Sequence, residues 1–433
     1  MSLRAPATDD DPPLPPTKTD APPASAAPTV VPAEPAAGPA ALTWLRTGAE
    51  GIAAVLRNLA TARESVRLEI YTFAPDGVGQ RIRDALLAAC ERKVRVQVIV
   101  DALGSYDLPD AFFAPVRAAG GEMRWFNPPK RFNFGARDHR KLFVFDETRA
   151  IVGGFNLADE YDGDGVDHGW RDLGLEIHDV PLARKLGASF DAFFARSGAK
   201  LRPFQALRRS RLKPAAIEAT LGELFLGGPG LGPPSLKIAL RQDLLGLCPQ
   251  KKRRRLDHSA APTLPKTRAQ VDLATPYFLP TFRLLRAILR VARAGCRVRL
   301  VLPVRSDVRL SQLAARRFYG RLLRAGVEIY EYQPQVLHMK LLLIDQAAYV
   351  GSANLDPRSL NLNYELLLRV TDPTTVAAGR EIFESVLQNS VRVNPKSWSR
   401  QRSWWQLWQE RWAFFLLARV DPYLVRLRER WLG

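Results

Sequence analysis

Cysteine and histidine are both scarce in this sequence, with only three cysteines and five histidines among 433 residues. The cysteines, Cys90, Cys248 and Cys296, are odd in number and lack the close spacing of metal ligands. This pattern argues against a disulfide framework and against a zinc site built on cysteine. We therefore expect the protein to work in a reducing compartment.

Long apolar runs are also missing. No stretch of about 18 consecutive apolar residues occurs, so no transmembrane helix is expected. The first residues contain an acidic triplet at 9–11 and many prolines, and they lack the apolar core of a signal peptide. Any contact with a membrane is therefore expected to be peripheral.

Acidic residues are few compared with basic ones, 44 against 63, which gives a formal net charge of +19. Such an excess predicts attraction to a polyanion, either nucleic acid or an anionic membrane surface, and the alternative is a merely solvated basic surface. The apolar fraction of 46% and the length allow two domains with complete cores.

Apolar periodicity divides the sequence into two similar halves. Strand and helix patterns alternate over residues 66–100 and again over 271–330, which indicates an α/β architecture. Residues 42–46 and 238–241 are alike, and we expect each to be the opening strand of its half. The predicted organisation is a disordered Pro/Ala-rich tail over 1–40, a first domain over 41–200, a basic and Gly/Pro-rich linker over 201–234, a second domain over 235–395 and a Trp/Arg-rich tail over 396–433.

A short motif occurs once in each half. A histidine is followed by a lysine two residues later and by an aspartate five residues after the lysine, and each copy then continues into small residues and an asparagine. Residues two apart on a strand face the same side, so each histidine and lysine are expected to share one space. The first copy comprises His139, Lys141, Asp146, Gly153, Gly154 and Asn156, and the second comprises His338, Lys340, Asp345, Gly351, Ser352 and Asn354.

These residue types fit phosphoryl transfer. One neutral imidazole attacks a phosphodiester phosphorus to form a phosphohistidine, and the other, protonated, gives its proton to the leaving alkoxide. Because the lysines supply the positive charge, we expect neither a metal nor a cofactor. The groups expected to hold the phosphate oxygens, or to let the backbone approach them, are Lys141, Lys340, Asn156, Asn354, Gly154 and Ser352.

Each imidazole also needs a partner for its second ring nitrogen. Asp172 and Glu365, which enter the strands that follow the two motifs, are the candidates. Asp146 and Asp345 lie an odd number of residues from the histidine and lysine, so they face the other side of the strand. We therefore expect structural ion pairs from these two aspartates, although they belong to the catalytic motif.

The carboxyl-terminal segment interleaves tryptophan with arginine. Six of the nine tryptophans lie between residues 398 and 431, and Trp404, Trp408 and Phe415 fall at helical spacing. A basic helix with aromatic anchors suits the headgroup region of a bilayer. The alternative is an ordinary helix docked on the second domain.

The duplicated motif resembles the hallmark of the phospholipase D superfamily. Within it, Thr275–Pro280, Gly351–Glu365 and Trp170–Asp172 are similar to segments of the bacterial cardiolipin synthases, here of the subgroup without leading transmembrane helices. The resemblance implies two phospholipase D-like α/β/α sandwich domains, related by a pseudo-two-fold axis, with one active site at their interface. It further implies His139 as the nucleophile and His338 as the acid and base.

The same resemblance implies a phosphatidyltransferase that joins two molecules of phosphatidylglycerol into cardiolipin and releases glycerol. Such an enzyme would lie peripherally on the cytoplasmic side of the bacterial inner membrane. A hydrolytic phospholipase D releasing phosphatidic acid, a nuclease and a non-catalytic lipid-binding protein are the alternatives. An anionic phospholipid is the expected partner and nucleic acid is not, while the need for an accessory protein stays open.

Overall fold

The computed structural model describes residues 40–128, 135–197, 222–227, 236–247, 269–400 and 402–417. The strands are β1 (Leu42–Leu45), β2 (Ser65–Ile70), β3 (Arg95–Asp101), β4 (Glu122–Phe126), β5 (Leu142–Phe145), β6 (Arg149–Gly153), β7 (Gly174–Ile177), β8 (Gly222–Gly227), β9 (Gln270–Ala274), β10 (Arg297–Pro303), β11 (Glu328–Tyr332), β12 (Leu341–Ile344), β13 (Ala347–Gly351), β14 (Glu365–Val370) and β15 (Ser390–Arg392). The α-helices are α1 (Gly48–Thr61), α2 (Gly77–Glu91), α3 (Ala114–Ala118), α4 (Val180–Ser197), α5 (Leu236–Gly246), α6 (Phe282–Arg293), α7 (Arg309–Arg324), α8 (Pro357–Asn361), α9 (Pro373–Gln388), α10 (Pro395–Arg400) and α11 (Trp404–Phe415).

The described strands form two mixed sheets with matching topology. The first has the order β1-β7-β6-β5-β2-β3-β4, and the second has the order β15-β11-β10-β9-β12-β13-β14-β8. In each sheet three neighbouring strands are parallel, β2-β3-β4 and β11-β10-β9, and the next strand pairs antiparallel to them. The two halves that carry the sequence repeat therefore have the same sheet topology.

The two halves share part of their hydrophobic core. Val144 and Leu175 from the first sheet belong to the same buried cluster as Leu343 and Val350 from the second. Helices α4 and α9 contribute to this cluster, whereas the outer helices of each half cover separate clusters. The shared layer places the beginnings of β5 and β12, where the two motifs lie, at the junction of the halves.

The predicted opening strand of the second half is wrong. Residues 238–241 lie within helix α5, in which Leu240 and Leu244, four residues apart, are both buried. The actual counterpart of β1 is β8, which pairs antiparallel with the outer strand β14, as β1 does with β7. The segment 201–234, predicted to be a linker, therefore contains a strand of the second sheet, which begins before the expected boundary at residue 235.

The described part of the Trp/Arg-rich tail packs on the second half. Helix α11 begins at a capping box formed by Ser403 and Gln406 and lies along α7. Ala413 is buried against Leu279 and Ala314, and the Phe414 ring meets the Phe318 ring at 5.5 Å. Across the described residues, no helix combines the length and the apolar character needed to cross a bilayer.

Several features expected from the sequence lie outside the described residues. They are the tail predicted over 1–40, except for its last residue, most of the linker predicted over 201–234, Cys248 and the end of the chain after residue 417. Cys90 and Cys296 are described, and both side chains are buried.

Candidate active site

His139 and Lys141 lie in the extended segment that enters β5. The residue between them, Arg140, faces the opposite side, where its guanidinium pairs with the buried carboxylate of Glu69 at 3.1 Å. The Lys141 ammonium donates to the backbone oxygen of His139 at 2.9 Å. The predicted alternation therefore holds, although the strand itself begins one residue later, at Leu142.

The second motif is built in the same way. His338 and Lys340 precede β12, while Met339 between them is fully buried in the core shared by the two halves. The Lys340 ammonium donates to the backbone oxygen of His338 at 2.5 Å and also lies 2.7 Å from its ring nitrogen Nδ1. Each histidine thus carries a lysine folded against it.

Each motif segment runs beside a backbone segment from the other half of the chain. The His139 amide donates to the carbonyl of Tyr364 at 2.9 Å, and the His338 amide donates to the carbonyl of Arg171 at 2.8 Å. The Arg171 amide in turn donates to the carbonyl of Val336 at 2.8 Å. These parallel bridges set the register, so that the residues following Tyr364 and Arg171 lie opposite the two imidazoles.

Those residues are the two carboxylates expected to orient the histidines. Nδ1 of His139 lies 3.1 Å from Oε2 of Glu365, and Nδ1 of His338 lies 2.7 Å from Oδ2 of Asp172. Both carboxylates are completely buried. The partners are exchanged between the halves, since each imidazole is held by the half that does not carry it. The site therefore forms only when the two halves meet.

The two ammonium groups are close to losing their charge. Burial, together with the positive charge of the other lysine, lowers the pKa of Lys141 to about 7. Burial lowers the pKa of Lys340 to about 8, while the negative charge of Asp172 opposes this change. A phosphate anion placed between these ammonium groups would raise both pKa values and keep both lysines charged.

The imidazoles and their carboxylates also titrate unusually. Burial and the charge of both lysines hold the pKa of His139 well below its usual value. Burial and Lys340 also lower the pKa of His338, but the hydrogen bond and charge of Asp172 oppose them. Burial raises the pKa of Glu365 to about 7. Burial would raise the pKa of Asp172 as well, but Lys340 and His338 outweigh it and leave the pKa lowered.

Gly154 and Ser352 serve the carboxylates, a role that differs from the expected approach of backbone to phosphate. A Cβ at Gly154 would lie 2.3 Å from Oδ1 of Asp172, so glycine leaves the space that this carboxylate occupies. At the equivalent position in the second half, the Ser352 hydroxyl donates to Oε2 of Glu365 at 2.5 Å. The motif position thus differs with its neighbour: glycine lies beside Asp172, and serine lies beside Glu365.

The two motif asparagines are buried near the imidazoles. Asn156 accepts from the Thr72 amide at 3.2 Å and donates to the Tyr161 hydroxyl at 2.8 Å, so one hydrogen of its amide group remains available. The side chain of Asn354 is also buried, and its Oδ1 is among the buried oxygens with no hydrogen-bond partner. Asn156 thereby adjoins Tyr161, whose ring lies 5.3 Å from the His338 ring.

The motif aspartates lie away from the imidazoles, in the tight turns that end β5 and β12. Asp146 and Asp345 both adopt the left-handed conformation, with φ values of 53° and 50°. The Asp146 carboxylate accepts from the backbone amides of residues 63–65 and pairs with Arg149 at 3.4 Å. The Asp345 amide donates to the carbonyl of Gln270 at 3.0 Å. Asp146 therefore fastens β2 to β5, and neither aspartate belongs to the reacting groups.

Aromatic side chains also line the site, and the sequence motifs did not indicate them. The Tyr71 ring, just after β2, lies 4.9 Å from the His139 ring in an edge-to-face arrangement. The position of this tyrosine directly after a strand was the sequence feature that could have indicated its place in the site. The rings around His338 are those of Tyr161, Trp170 and Tyr277, with centroids at 5.3, 5.4 and 6.5 Å.

A buried acidic pair behind His139 was also missed. Burial raises the pKa of Glu69, and burial together with the charge of Glu69 raises the pKa of Asp138 well above its usual value. The guanidinium of Arg140 is the cation that accompanies them. Within the described residues, no group of three or more histidines, cysteines or carboxylates is arranged to hold a metal ion.

Two sheets of matching topology that share a buried, duplicated His–Lys site define a phospholipase D-like enzyme. A family model described as "Cardiolipin synthase, PLD-like domain" matches residues 55–193 and 261–387. The chain belongs to this cardiolipin synthase family.

Individual relatives agree with the family. The chain is 30% identical over 390 residues to cardiolipin synthase B of Salmonella typhimurium, with 88% of each chain covered. It is 32% identical over 342 residues to a cardiolipin synthase of Geobacillus thermodenitrificans, covering 76% of this chain and 63% of the relative. The solved structure of phosphatidylserine synthase from Haemophilus influenzae Rd KW20 shares the fold, with a TM-score of 0.65 at 15% identity and coverage of 89% and 94%.

These findings confirm the family and the α/β fold class predicted from the sequence. They also make the protein an enzyme of the phosphatidyltransferase type.

Proposed function

We propose that this enzyme transfers a phosphatidyl group from one phosphatidylglycerol molecule to a second, giving cardiolipin and glycerol. The observation that carries the proposal is the pairing of His139 and His338, each held by a buried carboxylate of the other half. Double displacement at phosphorus needs one group to form the covalent bond and another to move the proton. Cardiolipin is the proposed product because the relatives are named cardiolipin synthases.

In the first step, Nε2 of His139 attacks the phosphorus while the bond from phosphorus to the terminal glycerol oxygen breaks. His139 suits the nucleophile because burial and the lysine charges keep its pKa low and its ring neutral. His338 gives its proton to the departing glycerol oxygen, and the ionised Asp172 supports this role because its hydrogen bond and charge oppose the lowering of the His338 pKa by burial and Lys340. A phosphatidyl-histidine and free glycerol result.

In the second step, a hydroxyl of another phosphatidylglycerol attacks the phosphorus. His338, now neutral, takes the proton of that hydroxyl, the bond from phosphorus to His139 breaks, and cardiolipin leaves. Both imidazoles return to their starting protonation states. Water in place of the second lipid would give phosphatidic acid, so the choice of acceptor decides between transfer and hydrolysis.

The charge that develops on the phosphate oxygens meets the two lysines and the two asparagines. Lys141 and Lys340 lie against the histidines from either side, and their buried ammonium groups gain most from an anion. Asn156 and Asn354 supply amide hydrogens at the same depth. Because the fold already holds these groups in place, they need not reorient during the reaction.

We further propose that the protein is peripheral on the cytoplasmic side of the bacterial inner membrane. Helix α11 packs through Ala413 but leaves Trp404, Trp405, Trp408 and Trp412 exposed. Indole rings on a helix surface suit the boundary between headgroups and acyl chains. The two alternatives for the tail are thus compatible, because one face docks on the second half and the other remains available for the membrane.

The test is product analysis after incubation of the full chain with phosphatidylglycerol vesicles, with His139→Ala as the control. We expect cardiolipin and glycerol in equal amounts from the wild type and neither from the variant. Phosphatidic acid as the sole lipid product would replace transfer by hydrolysis. If the wild type left the lipid unchanged, the proposed reaction would be wrong.

A further inference from the structure

Two outer helices of the second half, α6 and α7, carry many basic residues and no acidic ones. Their arginines project from one side of the second sheet. Because catalysis uses residues at the junction of the halves, this charge has no part in the reaction described above. The nine arginines are Arg283, Arg286, Arg290, Arg293, Arg309, Arg316, Arg317, Arg321 and Arg324.

The first half provides an internal comparison, because its catalytic elements are equivalent. Helix α2, the counterpart of α6, carries Arg81 and Arg83 together with Asp84 and Glu91. Arg81 pairs with Asp162, and Arg83 pairs with Asp84 at 2.8 Å. The duplicated site therefore does not require a basic outer face, and the charge on α6 and α7 serves something that only the second half does.

Four of these arginines converge on one cleft. A cavity of about 670 Å³ lies between α6 and α7, and its charged lining consists of Arg286, Arg290, Arg293 and Arg321. Within the described part of the chain, none of these four guanidinium groups forms an ion pair. By contrast, Arg316 on α7 pairs with Glu331 at 3.4 Å, as expected for an arginine with a structural role.

The rest of the cleft is apolar. Leu285 and Leu289 form its floor, and Phe282 at its mouth is 61% exposed, with the Arg286 guanidinium 4.4 Å from the centre of its ring. A cluster of cations over an apolar floor suits an amphiphile with an anionic head. A small inorganic anion would leave the apolar surface unused.

The cleft adjoins helix α11 of the tail through Arg321. Arg321 also borders a second cavity of about 240 Å³, between α7 and α11, together with Arg317, Leu407 and Arg411. On the outer side of α11, the Trp405 and Trp408 rings stack at 4.8 Å and are about half exposed. The second cavity is also bordered by Glu410, which pairs with Arg402, so its lining keeps a net positive charge beside the cleft.

We propose that the cleft between α6 and α7 binds the phosphate headgroup of an anionic phospholipid that is not the reacting substrate. Guanidinium groups bind phosphate oxygens through paired hydrogen bonds, and the apolar floor receives the glycerol end of the acyl chains. The neighbouring tryptophans enter the same bilayer. The proposal goes beyond the proposed reaction and rests on it only in assuming that the enzyme meets a membrane.

The site is separate from the catalytic centre. Helix α6 begins four residues after the Tyr277–Phe278 segment that borders His338, and its last turn lies roughly 15 Å further along the helix axis. A lipid held by Arg290 and Arg293 is therefore a second ligand, and the enzyme would be retained on membranes that contain anionic lipid, including its own substrate and product.

The test compares two variants that remove the same positive charge. Arg286→Gln/Arg290→Gln/Arg321→Gln removes three of the four arginines that line the cleft, and glutamine keeps nearly the helix propensity of arginine. Arg63→Gln/Lys93→Gln/Arg95→Gln removes three exposed cations from the first half. Binding of the full chain is measured on vesicles of equal parts phosphatidylglycerol and phosphatidylcholine, and on phosphatidylcholine alone.

We expect the cleft variant to bind the mixed vesicles at least about tenfold more weakly than the wild type, and the control variant to change about threefold or less. Equal losses in the two variants would show that only net charge matters, and an unchanged cleft variant would also overturn the proposal. So would equal wild-type binding to phosphatidylcholine alone.

Turnover of a short-chain phosphatidylglycerol dissolved as monomers separates this site from the reaction. We expect the cleft variant to keep wild-type activity on the monomers, since no membrane is needed. Loss of that activity would place the cleft in the catalytic machinery and contradict a second site. If the wild type itself failed to turn over the monomers, the reaction would be in question while the vesicle comparison still decided the cleft.

Discussion

Asp172 and Glu365 hold equivalent positions beside the two imidazoles, but the surroundings affect them in opposite directions. Lys340 and His338 keep the pKa of Asp172 low against the effect of burial, whereas burial raises the pKa of Glu365 to about 7. Near neutral pH, one histidine therefore faces a carboxylate and the other faces a group that is about half protonated. This difference supports unequal roles for the two histidines.

Asp172→Asn is expected to damage the enzyme more than Glu365→Gln. The first change removes the ionised group that stabilises protonated His338, and we expect kcat to fall about 10²–10⁴-fold. The second change leaves an amide in place of a carboxyl that is about half neutral near pH 7, and we expect a loss of about tenfold. Steady-state kinetics on phosphatidylglycerol, with thermal unfolding to verify the fold, would measure both. The reverse order would contradict the assignment of His139 as nucleophile.

The buried lysines and His338 predict a loss of activity on the alkaline side. Burial lowers the pKa of His338 below its usual value, that of Lys141 to about 7 and that of Lys340 to about 8. Each group is cationic below its pKa, so a rise in pH removes first the acid and then the phosphate-binding charges. We expect kcat/KM to fall as the pH rises, beginning on the acid side of neutrality with His338 and continuing through about 8 with the two lysines. A value that stayed constant across this range would show that these charges are not needed.

At the scale of secondary structure, single contacts join elements that are far apart in sequence. The Trp44 indole in β1 donates to the carbonyl of Thr375 in α9 at 2.9 Å, which links the first strand of one half to a helix of the other. The Trp44 ring also lies beside Gly379, where an added Cβ would be 3.2 Å from it. This contact helps to hold the halves in the register that aligns the site.

Trp44→Phe is expected to lower the free energy of unfolding by about 1–2 kcal/mol, because the Thr375 carbonyl loses its donor in a buried setting. Urea unfolding would measure the change. Trp408→Phe is the matched control, since Trp408 is 45% exposed and its replacement should cost less than about 0.5 kcal/mol. Equal effects at both positions would show that the bond between β1 and α9 contributes nothing.

Local patterns were sufficient for many elements but not for all of them. The strand and helix patterns predicted over 66–100 correspond to β2, α2 and β3, and those predicted over 271–330 correspond to β9, α6, β10, α7 and β11. Residues 238–241 were misassigned because four apolar-rich residues fit a strand and a helix equally well. The strand β8 was missed because the glycines and prolines that follow it dominated the local composition.

The site was predictable only in part for a similar reason. The spacing of His139 and Lys141 is local, so their common orientation could be inferred. The exchange of Asp172 and Glu365 between the halves depends on backbone bridges across more than 160 residues, and no local pattern contains that information.

At the scale of the whole molecule, a symmetric interior supports an asymmetric exterior. The two sheets repeat one topology and deliver equivalent His–Lys pairs to a single site. The basic cleft and helix α11 belong to the second half alone. We infer that the reaction requires both halves to keep the same internal structure. Contact with lipid requires a basic surface on only one of them.

The most direct test of the account is detection of the covalent intermediate. His338→Ala is mixed with a phosphatidyl ester whose leaving group, p-nitrophenol, departs without a proton, so the first step proceeds while the second lacks its base. Mass spectrometry of the intact protein and its peptides should find one phosphatidyl group per chain, attached to His139, and none in His139→Ala/His338→Ala. Release of p-nitrophenol without an adduct on His139, or an adduct on another residue, would contradict the account.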